Sequence, residues 1–511
     1  MPSPPPFPAS VDPSQAERPL VLALDAGTSS VRAVLYDALG RAVEGVASHS
    51  AYQMRTTPDG GVEMDPDELV AIAVRTLDEV LVRAGSLIEE AAAVATCTFW
   101  HSLLGVGADD RAVTPLYNWN DTRSRQDAAD LAARLGAEWV HAGTGARPHS
   151  SYQPAKLLWL RRTRLDEYTH VARWMGFGEY LQLRFFGRAL ASVSMASGTG
   201  LLNAHTCVWD EELLRRLEVD PGRLSPLAGE DEVLTGLAAE YAARWPALAR
   251  LPWLPALGDG ACSNVGSGCV TRDRAALMIG TSGALRVCFQ ADQVAIPPGL
   301  WCYRANCRTL LLGGALSNAG DVYAWCRSAL RLPQERIEEE LATRAPDGHG
   351  LTVLPFFSGE RSTGWADQAR AAVTGMSLST QPIDILRAAL ESVAYRFAAI
   401  RDLIAQEAGG GAEIIASGGG VNHSPAWVQI MADVMGKPVI ASAVPEASSR
   451  GAALLALQIL GFLKDLGAAP VPLGKVYEPD AARRETYDRA RQRQEALYKM
   501  LISKGFDLTP G

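Results

Sequence analysis

A chain of 511 residues is too long for one hydrophobic core, so two or more domains are expected. Apolar residues make up 48% and charged residues 21%, a balance that can bury a core and excludes a disordered chain. A formal net charge of −9, with no dense Lys/Arg run, argues against a nucleic-acid partner.

The first nineteen residues are proline-rich and lack a basic start followed by an apolar run. They read as a flexible tail, not a signal peptide. Apolar segments at 20–24, 31–36 and 42–48, separated by turns, predict an antiparallel meander. A helix is predicted over 66–84, opened by Asp65 and Pro66, with Leu69, Ile72, Ala73, Thr76 and Val80 on one face. Residues 91–98 read as a short buried strand. Helical patterns dominate 126–250, with Trp139, Trp159, Trp174 and Trp209 as core positions. The domain boundary is drawn near residue 256, giving a tail over 1–19, a first domain over 20–256 and a second over 257–511. Past that point the strand-turn-strand theme restarts. A helix follows over 380–408, then a strand over 414–417, then a helix capped by Ser424 with Pro425 at its first position. A charged helix is predicted over 481–502. Strands covered by helices define an α/β layer architecture. The longest apolar segment, 452–463, is too short to span a bilayer. Eight cysteines without a Cys-x-x-Cys pair read as reduced, mostly buried thiols of a cytoplasmic protein.

Two stretches carry one signature. The first is Asp25-Ala26-Gly27-Thr28-Ser29-Ser30 between apolar strands, and the second is Ile279-Gly280-Thr281-Ser282-Gly283 in the same setting. A hairpin tip of this kind points N–H groups and hydroxyls outward, which suits a phosphate. One copy is an ordinary turn. Two copies in equivalent places suggest a duplicated fold with two phosphate loops facing one cleft. Gly258-Asp259-Gly260 is by itself a common turn, but it lies at the domain junction and is followed by small residues over 261–268. That setting fits a carboxylate reaching an acceptor hydroxyl beside a terminal phosphate.

With Gly418-Gly419-Gly420 and the segment from Asn422 to Asp433, these motifs resemble the FGGY carbohydrate kinase family. The likeness spans roughly residues 20–470 and places the chain in the sugar kinase, actin and Hsp70 ATPase superfamily. The resemblance implies two ribonuclease H-like (actin/Hsp70-type) ATPase domains with a cleft between them. It implies ATP and Mg²⁺ as cofactors, with Asp25 helping to hold the metal through water. Asp259 would be the general base. Thr28, Ser29, Arg32 and Thr281 would contact the nucleotide phosphates, and Gly320, Gly419, Gly420 and Ser424 would line the adenosine pocket. Trp100 and His101 occupy the pair that touches the sugar, where Met-His is common in relatives, and Asp121 in the segment 119–123 borders it. The loop Ser358-Gly359-Glu360-Arg361 reads as a structural element of the domain interface.

Within that family the branch most resembled is gluconokinase, with xylulokinase or another ketose or polyol kinase as the alternative. A buried sugar carboxylate needs cations, and Arg147, His149, Lys156 and Arg286 are the candidates. The partner expected is a small sugar or sugar acid. No nucleic acid or membrane is expected, and a homodimer is left open. The superfamily also admits an actin-like or chaperone-like ATPase and a non-catalytic sugar sensor. Sugar-dependent ADP release separates these readings.

Overall fold

The computed structural model describes residues 7–409 and 411–503. Its first sheet contains β1 (Ser10–Val11), β2 (Leu20–Ala26), β3 (Ser30–Tyr36), β4 (Ala42–Ala51), β5 (Ala91–Thr98) and β6 (Leu257–Gly258), in the order β1-β4-β3-β2-β5-β6. Strands β2, β3 and β4 form the antiparallel meander, and β5 and β6 add parallel. The second sheet contains β7 (Arg274–Ile279), β8 (Gly283–Gln290), β9 (Trp301–Arg304), β10 (Thr309–Leu316), β11 (Glu413–Ser417), β12 (Val439–Ser442) and β13 (Leu473–Tyr477). Its order is β9-β10-β8-β7-β11-β12-β13. Setting aside the edge strands β1, β9 and β13, both sheets run third-second-first-fourth-fifth, with three antiparallel strands followed by two parallel ones. The duplication suggested by the two turns is thus a duplication of topology.

Strand alternation assigns each face of the first sheet a different cover. Leu20, Leu22 and Leu24 pack with Leu69, Ile72 and Leu77 of helix α1 (Pro66–Ala84). Each of these large side chains contributes about 1.5–3 kcal/mol by leaving water. Asp65 caps α1 by accepting from the Asp67 N–H at 2.9 Å. The opposite face, with Val21, Ala23, Ala93 and Ala95, packs against α2 (Asp259–Gly266) and α3 (Ala447–Ile459). Asp25 and Cys97 continue that face to the ends of β2 and β5, where they are cross-strand partners. The second sheet packs Leu277, Leu285 and Leu312 against Leu386, Leu390 and Phe397 of the long helix Pro382–Ala408. Helices α2 and α3 therefore lie between the two halves.

Three sequence expectations change. Residues 10–11 of the expected flexible tail pair with β4, in register Ser10 to Ala42, and Asp12 caps the turn Pro13–Gln15. Residues 1–6 lie outside the described residues. A boundary at 256 falls just ahead of β6, which pairs with β5 and so belongs to the first sheet. Trp139 is not core: it is 39% exposed, with the Arg216 guanidinium 4.5 Å from its ring centre. Among the described residues no helix is long and apolar enough to cross a membrane.

Candidate active site

A cavity of about 310 Å³ opens between the halves. Asp259, at the first position of α2, lines it together with Thr28, Trp100 and His101 from the first half. Ser282, Gly283 and Arg286 line it from the second, beside the turn at Thr281. The Asp259 carboxylate accepts from the Gly260 N–H at 2.7 Å. Burial pushes its pKa above the usual aspartate value, and the nearby Arg286 guanidinium pulls in the opposite direction. Arg286 donates to the Gly260 carbonyl at 3.3 Å, and its Nε has no hydrogen-bond partner.

Trp100 is fixed over the backbone that carries Asp259. Its indole N–H donates to the Ser194 carbonyl at 2.9 Å, and its ring meets Tyr303 edge-on at 5.0 Å. A Cβ on either Gly258 or Gly260 would fall inside this ring, so glycine on both sides of Asp259 is a packing requirement. His101 has φ +64 and its Nδ1 bonds the Gly198 carbonyl. A carbonyl only accepts, so Nδ1 carries the proton and Nε2 is left as an acceptor. Burial drives the His101 pKa down to about 3, which keeps the ring neutral.

Asp25 is buried at the end of β2, and its Oδ1 has no hydrogen-bond partner. Burial, with repulsion from Asp259, pushes its pKa up to about 7. An orphaned carboxylate oxygen close to a second carboxylate fits a hard divalent cation, which prefers oxygen ligands. Trp119 Nε1 donates to Thr28 Oγ1 at 3.3 Å, tying the segment after β5 to the first turn. At the second turn, the Gly280 carbonyl accepts from Gly320 N–H at 2.8 Å and the Thr281 carbonyl from Ala319 N–H at 3.0 Å. Gly420 packs against Ile279, so Thr281, Gly320, Gly419 and Gly420 gather around one end of β7. Ser29 and Thr281 are exposed at the two turn tips.

Other expected residues are held elsewhere. Asp121 does not line the cavity: one oxygen accepts from Val62 N–H at 3.0 Å, and both accept from Arg123. Its role is to hold Arg123, and the expected substrate contact is withdrawn. Arg32 lies on the inter-half face of β3 but pairs with Glu446 at 3.3 Å. Ser424 is buried, with its Oγ accepting from Trp427 N–H at 3.3 Å, so this hydroxyl caps a helix and only its O–H remains to offer a ligand. Of the four candidate cations, His149 and Arg286 line the cavity. Lys156 instead donates to the carbonyls of Ser150 and Ser151 at 2.6 and 2.7 Å, and burial lowers its pKa to about 7. Arg147 reaches the Pro298 carbonyl and Glu138.

Several wall residues escaped sequence reasoning. Trp301 and Tyr303 stack at 4.3 Å, and Tyr303 shares a 2.6 Å hydroxyl contact with Tyr152 of the first half. Their i, i+2 spacing on one strand was the available signal. The 358–361 loop divides. Glu360 is structural, bonded to Arg396 and to Tyr498 Oη at 2.6 Å, whereas Arg361 lines the cavity, 5.5 Å from the centre of a Trp119 ring. His149 Nε2 meets Asp367 Oδ1 at 3.0 Å across the halves.

Two copies of one sheet topology, each with a Gly-Thr-Ser turn at the shared cleft, and one partly buried carboxylate, Asp259, in the cleft wall define a two-lobed architecture built around a single site. The N-terminal domain of the FGGY family of carbohydrate kinases matches residues 20–266 and its C-terminal domain matches 275–458. A gluconokinase of Bacillus subtilis (strain 168) is 26% identical, the match covering 89% of this chain and 91% of the relative. A glycerol kinase of Koribacter versatilis (strain Ellin345) is 30% identical, with 94% and 98% covered. Among solved structures, the ligand-bound xylulose kinase from Lactobacillus acidophilus has a TM-score of 0.87 at 27% identity, with 95% and 98% covered. The gluconate kinase from the same species has 0.85 at 28%, with 94% and 98% covered. The chain belongs to the FGGY family of carbohydrate kinases, which are phosphotransferases.

Proposed function

We propose that this chain is an ATP-dependent kinase that phosphorylates a hydroxyl of a sugar acid, with gluconate as the substrate. The observation that carries the sugar-acid reading is the cavity's charge. Arg286 and Arg361 both line it, and their hydrogen bonds go to the backbone carbonyls of Gly260 and Leu316. Arg286 is partly balanced by the nearby Asp259 and Arg361 by Asp367, but neither guanidinium hydrogen-bonds a carboxylate, so each gains a charge-assisted partner when a sugar carboxylate binds. The aromatic walls at Trp100, Trp119, Trp301 and Tyr303 offer flat apolar faces to a carbon chain between hydroxyls. A neutral ketose, the alternative favoured by the likeness to xylulose kinase, would leave both guanidiniums without a carboxylate hydrogen-bond partner.

In this reading Asp259 accepts the proton of the attacking hydroxyl as its oxygen bonds to the terminal phosphorus of ATP and ADP departs. His101 Nε2 accepts a hydrogen bond from the sugar and orients it. Backbone N–H groups and hydroxyls of the turns at Thr28 and Thr281 hold the phosphates. Asp25 would hold Mg²⁺, which supplies charge neutralisation on the phosphates when bound.

Purified protein with Mg-ATP should release ADP fastest with gluconate in a panel that also contains xylulose, ribulose, glycerol and erythritol. Preference for a neutral member would replace the sugar-acid reading, and sugar-independent turnover would remove the kinase reading for this site. The pH dependence follows from Asp259. It accepts a proton only when ionised, and its pKa is raised, so kcat/KM falls as pH drops through a value above the usual aspartate range. Arg286 opposes that rise, so Arg286→Met should move the acid limb to higher pH. An unmoved limb would assign it to another group.

A further inference from the structure

Two of the eight cysteines, Cys207 and Cys307, are only half-buried, and they stand together at the seam between the halves. Cys207 lies in the loop ahead of Trp209 in the first half, and Cys307 lies in the connection between β9 and β10 in the second. Cys207 Sγ is 3.9 Å from the Cys307 carbonyl oxygen. Both side chains pack against the same small apolar cluster, formed by Ala191, Val193, Ala196 and Leu202. The two segments are already fastened by Arg304, which is buried and donates to the carbonyls of Ala204 and Cys307, each at 2.8 Å. Cys307 also lines a second cavity between the halves, of about 480 Å³, which gives a small oxidant a route to it. Burial and the neighbouring Cys207 push the Cys307 thiol up to about 11, so its thiolate is scarce near neutral pH and alkaline buffer favours the reaction.

We propose that Cys207 and Cys307 are an oxidisable thiol pair, joined by a hydroperoxide into a disulfide that staples the two halves behind the active-site cavity. One thiol, as thiolate, attacks a peroxide oxygen; the O–O bond breaks, one water leaves and a sulfenic acid forms. The second sulfur attacks the sulfenic sulfur; the S–O bond breaks, the S–S bond forms and a second water leaves. Two thiols thus lose two electrons and two protons, and hydrogen peroxide becomes two waters. The link joins positions 100 apart in sequence, so it removes much freedom from the unfolded chain.

The test treats the full chain with hydrogen peroxide in mildly alkaline buffer, then combines non-reducing peptide mapping with thermal unfolding. The expected result is one intrachain peptide pair containing both residues, and a midpoint several degrees higher that returns to the starting value with dithiothreitol. Cys207→Ser and Cys307→Ser should each lose the linked pair and the shift, and two variants guard against one that fails to fold. Sulfinic acid or interchain disulfides in place of this pair would overturn the proposal, as would a linked pair that leaves the midpoint unchanged.

Discussion

Asp259→Asn should lower kcat by about 10²–10⁴-fold, the usual contribution of a general base, while affinity for ADP stays close to that of the parent. The substitution preserves shape. A carboxamide cannot take up the hydroxyl proton, but its oxygen can still accept from the Gly260 N–H, the bond that fixes the Asp259 side chain now. The turns at Thr28 and Thr281 and the glycines near β7 stand on other segments, so the nucleotide cradle has no reason to move. Steady-state kinetics with the best acceptor, beside calorimetric titration with ADP, check the two halves of the statement. Parent-like turnover would remove Asp259 from the reaction, and a parallel loss of ADP binding would make its role structural.

The largest effect on stability is expected at the crossing of α2 and α3. Gly266 and Gly451 are reciprocal contacts: a Cβ on Gly451 would collide with the Cys262 carbonyl, and one on Gly266 with the Ala447 carbonyl. The obstacles are backbone atoms in helices held against the first sheet, so neither side can yield as a flexible side chain would. Gly451→Ala should therefore cost about 3 kcal/mol or more, visible as a lower urea midpoint, with activity falling as α2 shifts Asp259. A variant with the parent midpoint would show that the two helices can separate at little cost.

The turns at Gly27 and Gly280 were legible because each follows an apolar strand and precedes another, a local pattern that survives in any tertiary setting. Helix α1 was legible for the same reason, from its cap and its apolar stripe. Residues whose role depends on distant partners were less so. Asp121 sits in a polar segment of the kind that borders pockets, yet Arg123, two positions on, claims its carboxylate. Arg361 looked like part of one structural loop, but its neighbour Glu360 turns inward to Arg396 while Arg361 turns to the cleft. The Tyr152–Tyr303 contact joins residues from opposite halves; the Trp301/Tyr303 spacing marks one ring as a face of its strand, but nothing local shows that the two rings meet. Segment 452–463 was conspicuous only as an apolar run; that it covers the first sheet is a long-range fact.

That last arrangement bears on how the chain is made. Val21, Ala23, Ala93 and Ala95 find their cover in Leu454, Leu455 and Leu457, which a ribosome delivers more than three hundred residues later. During synthesis that side of the first sheet waits with only part of its cover, from Leu254, Cys262 and Val265, a stage at which nascent chains stick to one another or recruit chaperones. Dividing the gene at the junction of the two family domains would make that wait permanent, so the amino-terminal piece should be recovered as insoluble material unless the carboxy-terminal piece is supplied alongside it.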